Sequence, residues 1–331
     1  MEVIARGEGP LFSDPDPDKL RTFFRQKSRA LTNKVTTVAD AVRRFAHDGD
    51  YLAIGGFGAN RIPTAVCHEL VRQGRRSMIF AGHTSTHDFQ ILAAGEVFDR
   101  CDNAYIIGLE ARGLSPNARR YMQSGKVRMA EWTNYGLALR LKAAAMGVPF
   151  LPGRNMLGTD TFRKSAAIAA RDPFTGKIVT LFPALSPDVA AIHVHEADVY
   201  GNCRLRGISI ADLELARAAK RLIITCERLV PTEVIRAEPT LTVIPYYLVD
   251  AVCEVPYGSY PGVMPGEYFS DEEHLRLWLK TEEDPVAFGR FFDELVRKTK
   301  DFQEYLDRCG GVRRIQQLRA QELLLDAGQA R

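Results

Sequence analysis

Two adjacent glycines and a third two residues on close the apolar run Tyr51-Leu-Ala-Ile54, giving Gly55-Gly56-Phe57-Gly58 five residues before Pro63. Glycine at the end of a strand lets a ligand lie against bare backbone, and N–H groups left unpaired there can hold an anionic oxygen. The alternative is a tight turn with no ligand. Arg61 follows, with a guanidinium that could take a carboxylate through two hydrogen bonds or form a surface salt bridge. After the next apolar run comes Ala81-Gly-His-Thr-Ser-Thr-His-Asp88, where Gly82, His83, Thr84 and Ser85 could hydrogen-bond a bound ligand. The competing reading makes Thr84, Ser85 or Thr86 the cap of a helix. Glu110, after a third apolar run, is the in-chain carboxylate best placed to act as acid or base, against a plain turn or salt-bridge role.

Other constellations carry less. A dinucleotide fingerprint counted from Gly56 needs a third glycine where Arg61 stands, and no phosphate-loop motif ending in Gly-Lys-Ser/Thr occurs. His83 and His87 have helical i, i+4 spacing, but no glutamate follows His83, so no metal site is expected. His193 and His195 share a strand face and read as satisfied core or interface histidines. Gly207-Ile-Ser209 lacks the closing glycine of a nucleophile elbow.

These residues must be positioned by elements that the spacing predicts. Thr37 with Asp40 is a capping pair for a helix bearing Val38, Ala41, Val42 and Phe45, stopped by Asp48-Gly49. Helices are predicted over 63–73, 87–94, 117–124, 134–146 and 211–220. Strands are predicted over 51–54, 78–81, 104–107, 178–182, 189–194, 221–225 and 249–255. Apolar strands alternating with amphipathic helices imply an α/β fold, a mainly parallel open sheet covered by helices on both faces. Residues 1–33 read as a turn-rich surface arm, 34–260 as the α/β domain, and 261–331 as a helical extension packing on the core or a partner. In that extension Phe288, Phe291 and Phe292 form one apolar stripe.

The 331 residues are 46% hydrophobic and 26% charged, which suits about two globular domains and excludes disorder over most of the length. Forty-four Lys and Arg against 41 Asp and Glu leave +3, too little for a nucleic-acid or acidic-membrane partner. The six cysteines include no Cys-x-x-Cys pair, the first residues lack a signal-peptide pattern, and no stretch reaches the length of a membrane span. A cytoplasmic protein with reduced thiols is the expectation.

At the glycine turn the sequence resembles a family. Asp48-Gly49, two residues, three apolar residues, Gly55-Gly56-Phe57, then Pro63 is similar to the signature of the A (alpha) chain of class I coenzyme A-transferases. That family often has glycine two residues before the proline; Arg61 stands there, as in the glutaconate CoA-transferase branch. The runs Ala143 to Pro152, Asp188 to Asn202, Val249 to Gly258 and Glu304 to Gly310 also resemble that branch, so the likeness extends from Lys34 to Arg314.

The resemblance implies a CoA-transferase or sugar-phosphate-isomerase (NagB/RpiA) kind of fold and a heteromeric enzyme, two-chain or larger, such as a heterotetramer. It would move CoA from an acyl-CoA, a dicarboxylic one included, to a free carboxylate. The family's nucleophilic glutamate comes from a separate B (beta) chain, which is the partner the resemblance implies, and this chain has no stretch like that glutamate motif. No catalytic residue is therefore expected here beyond the candidate Glu110, and CoA is a substrate with no tightly bound cofactor. Gly55, Gly56, Phe57 and Gly58 would face the thioester. Alternatives are a relative that hydrolyses, ring-opens or decarboxylates an acyl-CoA, and a ligand-sensing regulator, for which the first 34 residues offer no DNA-binding helix-turn-helix.

Overall fold

The computed structural model describes residues 1–106, 108, 109 and 112–325. Its centre is a sheet of seven parallel strands: β1 (Tyr51–Ile54), β2 (Met78–His83), β3 (Phe98–Ala104), β4 (Arg128–Glu131), β5 (Val189–Ala197), β6 (Arg221–Leu229) and β7 (Ala251–Glu254). They lie in the order β7-β6-β5-β1-β2-β3-β4, and a short eighth strand, Cys203–Arg204, pairs antiparallel with β5. The chain builds outward from β1 to β4, then returns to the other side of β1 and builds outward again. The direction of winding therefore reverses between β1 and β5, and the carboxyl ends of strands at such a reversal are where open α/β sheets hold ligands.

The central strands feed two cores by alternation. Tyr51, Ala53, Ile79, Ala81, Ala190 and Ile192 point into one, with helices Asn134–Met146 and Asp212–Ala218. Leu52, Ile54, Met78, Phe80 and Val189 point into the other, with helices Val38–Phe45, Thr64–Arg72 and His87–Ala94. Period-two alternation of this kind is what a sheet covered on both faces requires. Thr37 caps its helix as expected, its side chain accepting from the Asp40 N–H.

Three expectations need correction. The segment before Thr37 is more than an arm: Val3–Arg6 is a strand and Pro17–Gln26 a helix capped by Asp16. That first strand joins Phe150–Gly153, Ile168–Arg171 and Ile178–Pro183 in a separate four-stranded antiparallel sheet, so the predicted strand at 178–182 exists but not in the parallel sheet. The strand predicted at 104–107 ends at Ala104 instead, and Tyr105 turns out of it with φ +60°. The strand is Phe98–Ala104, which looks too polar for a central position. Its Asp102 is nonetheless fully buried, because Tyr51 Oη, Trp132 Nε1 (2.7 Å) and Arg140 Nη1 (2.6 Å) all donate to its carboxylate. Buried charge is tolerated when paired and hydrogen-bonded in this way.

The C-terminal helices (Glu272–Thr281, Pro285–Phe292, Phe302–Arg308 and Gly311–Glu322) dock through an aromatic cluster that encloses three histidines. His68 lies edge-on to Tyr305, His87 edge-on to Trp278, and His274 beside Tyr260. Burial pulls His68 well below the ordinary histidine range, His87 to about 3 and His274 to about 4. The folded state thus holds neutral imidazoles that the unfolded chain protonates near pH 6.5, so this stability is complete above pH 6.5 and is lost as pH falls toward 4 and 3. We expect Trp278 fluorescence to report loosening of the C-terminal helices in that window. Exchanging His87 for Gln is expected to move the transition to lower pH.

Candidate functional site

The glycine turn lies where the sheet reverses its winding. Gly55 N–H donates to Ala191 O of β5, and Gly56 N–H donates to Asp212 Oδ1, both at 2.8 Å. A Cβ on Gly55 would come within 2.7 Å of Asp212 Oδ1, and one on Gly56 within 2.5 Å of Asn60 O. Gly56 and Gly58 also take φ of +89° and +63°, which suits glycine. The turn is therefore as tight as the sequence implies. Its N–H groups are spent differently: Phe57 donates to Asn60 O, Gly58 to Thr84 O, Asn60 to Phe57 O and Arg61 to Val263 O. Ala59 is left, among the described residues of the turn, as the unpaired donor. The glycines provide close approach rather than a row of free donors.

Arg61 lies neither at the surface nor free. Its side chain is fully buried, Nη2 donates to Asp212 Oδ2 at 2.8 Å and to Ile208 O, and its Nε and Nη1 have no partner. Its φ of +55° is a conformation in which glycine costs nothing and other residues roughly 1–2 kcal/mol. That explains physically why glycine suits this position, and the Asp212 pair is what holds an arginine there. Asp212 thus clamps both ends of the turn, one oxygen on Gly56 N–H and the other on Arg61.

The turn after β2 meets the first one. Gly58 bridges to Ser85, and Thr86 donates its hydroxyl hydrogen to Gly58 O at 2.7 Å instead of capping helix His87–Ala94. Asp88 takes the Thr86 N–H at 2.8 Å, and burial raises its carboxyl to about 6 despite hydrogen bonds from Ser85 and the backbone. Gly82 is tightly enclosed, since a Cβ there would lie 2.6 Å from Ile106 Cγ2. Thr84 takes φ +48° and keeps a buried hydroxyl without a partner. His83 is 8% exposed, its ring 6.4 Å from that of Phe57, and its Nε2 has no partner. Burial lowers its imidazole below the usual range, against the opposing pull of the Asn134 backbone, its own backbone and the Asp212 carboxylate. Buried polar atoms are nearly always paired, so several orphans along one sheet edge mark a place made for something else to fill.

Other candidates resolve simply. His83 ends a strand while His87 starts a helix, so they share no helix face, and His87 Nδ1 is bonded to Gln90 Oε1 at 2.9 Å. His193 sits between Thr225 Oγ1 and Glu227 Oε1, and His195 between Pro265 O and the Arg206 N–H, as satisfied histidines. Ser209 is exposed on the loop before helix Asp212–Ala218 and does not cap it. Glu110 lies outside the described residues. Asn134, missed from sequence as a site residue, starts a helix at this same edge with its buried Oδ1 unpartnered; its position at the start of the predicted helix 134–146 is the available signal.

The coenzyme A transferase family model matches residues 35–255, which span β1 to β7 and both turns. The chain belongs to the coenzyme A transferase family. Among its relatives, a protein of Archaeoglobus fulgidus without a functional name is 47% identical over 98% of this chain and 73% of its own. The A chain of glutaconate CoA-transferase from Acidaminococcus fermentans is 33% identical over 86% of this chain and 94% of its own. The crystal structure of that transferase superposes on this CoA-transferase chain with TM-score 0.80 at 32% identity, covering 85% of this chain and 94% of that one. A structure of the decarboxylase AibA/AibB is similar at TM-score 0.73 and 31% identity, covering 81% of this chain and all of that one. No helix among the described residues is long and apolar enough to cross a membrane, and all six cysteines are unbridged.

Proposed function

We propose that this protein is the A chain of a heteromeric, cytoplasmic CoA-transferase whose nucleophilic glutamate is carried by a separate B chain. The observation that carries the proposal is the edge at β1 and β2, where backbone too close for any side chain adjoins the unpaired polar atoms of Asn60, His83, Thr84 and Asn134. Among the described residues, the carboxylates bonded to these turns, Asp212 and Asp88, are already engaged, which supports an attacking carboxylate supplied by another chain. The Acidaminococcus glutaconate CoA-transferase relative, by its name one chain of several, supports the two-chain reading.

In the reaction, the B-chain glutamate attacks the thioester carbonyl and expels CoA thiolate, leaving a mixed anhydride. The thiolate then attacks the glutamyl carbonyl, releasing the first acid and leaving an enzyme thioester. A second carboxylate runs the sequence in reverse and leaves as its CoA ester. Gly55 to Gly58 allow the thioester to lie against backbone, and Ala59 N–H with the polar groups of His83 and Thr84 meet the charge that develops on oxygen, the Ser85 hydroxyl being given to Asp88. CoA is substrate throughout, and no bound cofactor enters.

The two chains, coexpressed and given an acyl-CoA with free acetate, are expected to yield acetyl-CoA, and borohydride is expected to inactivate the enzyme only after acyl-CoA is added. Acyl-CoA loss with no acetyl-CoA would instead favour the hydrolase reading, and carbon dioxide release the decarboxylase reading that the AibA/AibB likeness supports.

A further inference from the structure

The four-stranded antiparallel sheet ends in an open edge. In its order Val3–Arg6, Ile168–Arg171, Ile178–Pro183, Phe150–Gly153, the first strand is paired on one side among the described residues, and all four of its residues are exposed. Such an edge offers main-chain N–H and C=O groups to any strand that reaches it, and soluble proteins ordinarily blunt it with lysine, proline or a bulge. Val3-Ile-Ala-Arg6 has neither lysine nor proline. Its ladder shifts register between Val3 and Ala5, which leaves Ile4 without a partner residue and exposed. Other large apolar side chains gather at the same end. Val3 lies opposite Ala170 and Arg171 N–H donates to Glu2 O, so Met1 and Val3 adjoin the turn between the next two strands. That turn is firmly built: Asp172 accepts from Phe174 N–H at 3.0 Å and Thr175 N–H at 3.2 Å, and Arg171 Nη1 donates to Gly176 O at 2.9 Å. Within it Phe174 is 95% exposed, and Met1, Val3 and Ile178 are exposed nearby. A phenyl ring held in water by an ordered turn does nothing for this chain's own core, and apolar groups gathered in this way mark a contact surface. Strand Val3–Arg6 also lies outside the residues matched by the family model, so that match does not account for it.

We propose that strand Val3–Arg6 pairs antiparallel with the same strand of a second copy of this chain about a two-fold axis, joining two four-stranded sheets edge to edge. An edge strand is self-complementary in this arrangement, because the axis reverses chain direction and every contact occurs twice, as an isologous interface requires. The charges agree. Antiparallel self-pairing brings the Glu2 end of one copy to the Arg6 end of the other, on both sides of the axis. Arg6 has no ion-pair partner among the described residues, and Glu2, although 2.9 Å from Arg171, keeps a side chain that is 65% exposed. Parallel pairing of the two strands would instead set Glu2 beside Glu2 and Arg6 beside Arg6, and like charges opposed across strands are destabilising. Ile4 lies midway between Glu2 and Arg6, so the two copies of it meet near the axis. The contact shares no residue with the turns after β1 and β2, and it stands independently of which reaction those turns support.

Sedimentation velocity on the coexpressed two-chain protein, read across a dilution series, tests this. Wild type is expected to contain two copies of this chain. Ile4→Lys, the edge residue that natural sheets use against pairing, and Phe174→Asp are each expected to weaken that association by at least about tenfold. Both positions are exposed, so urea unfolding should be unchanged, and transfer should stay within about twofold of wild type because neither residue touches the turns. Arg6→Glu should weaken the association as well, and adding Glu2→Arg to it should restore much of the loss, a rescue that a merely structural role for Arg6 does not give. A wild-type complex holding a single copy of this chain would overturn the proposal. So would an unchanged mass in Ile4→Lys and Phe174→Asp, or loss of the other chain in place of the second copy, which would make this edge the contact between unlike chains. Failure of the charge exchange to rescue Arg6→Glu would overturn the antiparallel pairing. Two copies that separate in Ile4→Lys, in a wild type that transfers no CoA, would support this interface and overturn the transferase reading alone.

Discussion

Replacing Asp212 with alanine is expected to cost about 3–5 kcal/mol of unfolding free energy and to abolish measurable CoA transfer. The size follows from burial: the Arg61 and Asp212 side chains are 0% and 1% exposed, whereas a pair such as Lys19–Asp14 is 71% and 52% exposed and is worth little. Removing Asp212 leaves a guanidinium in the interior with Nη2 losing its charged partner and two further N–H positions already unpaired. It also frees Gly56 N–H and fills nothing beside Gly55, whose position is shaped around that carboxylate. Asp212→Asn, which keeps an acceptor for Gly56 but not the charge, should fall between alanine and wild type. The double variant Arg61→Met, Asp212→Leu removes both charges and is expected to be more stable than Asp212→Ala, because no uncompensated ion remains. Its transfer activity should stay lost, since the turn is no longer clamped at two points. Urea unfolding of the variants, with transfer assays on the two-chain complexes, checks this. A cost under about 1 kcal/mol for Asp212→Ala would mean that the turn holds its shape without the pair.

That pair also shows where the sequence stops being legible. The glycines, the strands at Tyr51–Ile54 and Met78–His83, and helices His87–Ala94 and Asn134–Met146 follow from local spacing, because each is encoded within one short run of chain. Arg61 and Asp212 lie 151 residues apart, and nothing local distinguishes a buried arginine from a solvated one. The same holds for Phe98–Ala104, where Asp102 is made apolar in effect by Tyr51, Trp132 and Arg140, each from a different part of the chain. The antiparallel sheet escaped for a related reason: Val3–Arg6 is exposed along its length and gains its strand character only by pairing with Ile168–Arg171. At the site itself, residue types were enough to find both turns. They could not show which N–H groups the turns would keep for themselves, and that leaves Ala59, rather than the glycines, as the unpaired donor among the described residues of the turn.

Strand β1 contains its own control for the glycine turn. Gly49, two residues before Tyr51, and Gly56, two residues after Ile54, take nearly the same φ, +86° and +89°. A Cβ on Gly49 meets nothing within 4 Å, whereas one on Gly56 meets Asn60 O at 2.5 Å and Arg61 O at 2.9 Å. Gly49→Ala is therefore expected to cost only the left-handed backbone term, about 1–2 kcal/mol, with transfer unchanged. Gly56→Ala adds a clash with backbone that cannot rotate away, about 1–3 kcal/mol more. The larger consequence is geometric, because relief of that clash has to push the turn away from β5 or from the Thr84 turn to which Gly58 is bonded. A shift of about 1 Å at a reacting centre is worth roughly 100-fold in rate, so kcat should fall by that order in Gly56→Ala alone. Equal kinetic effects at both glycines would place the reacting thioester away from the carboxyl end of β1, since the backbone term is common to the two and only the position differs.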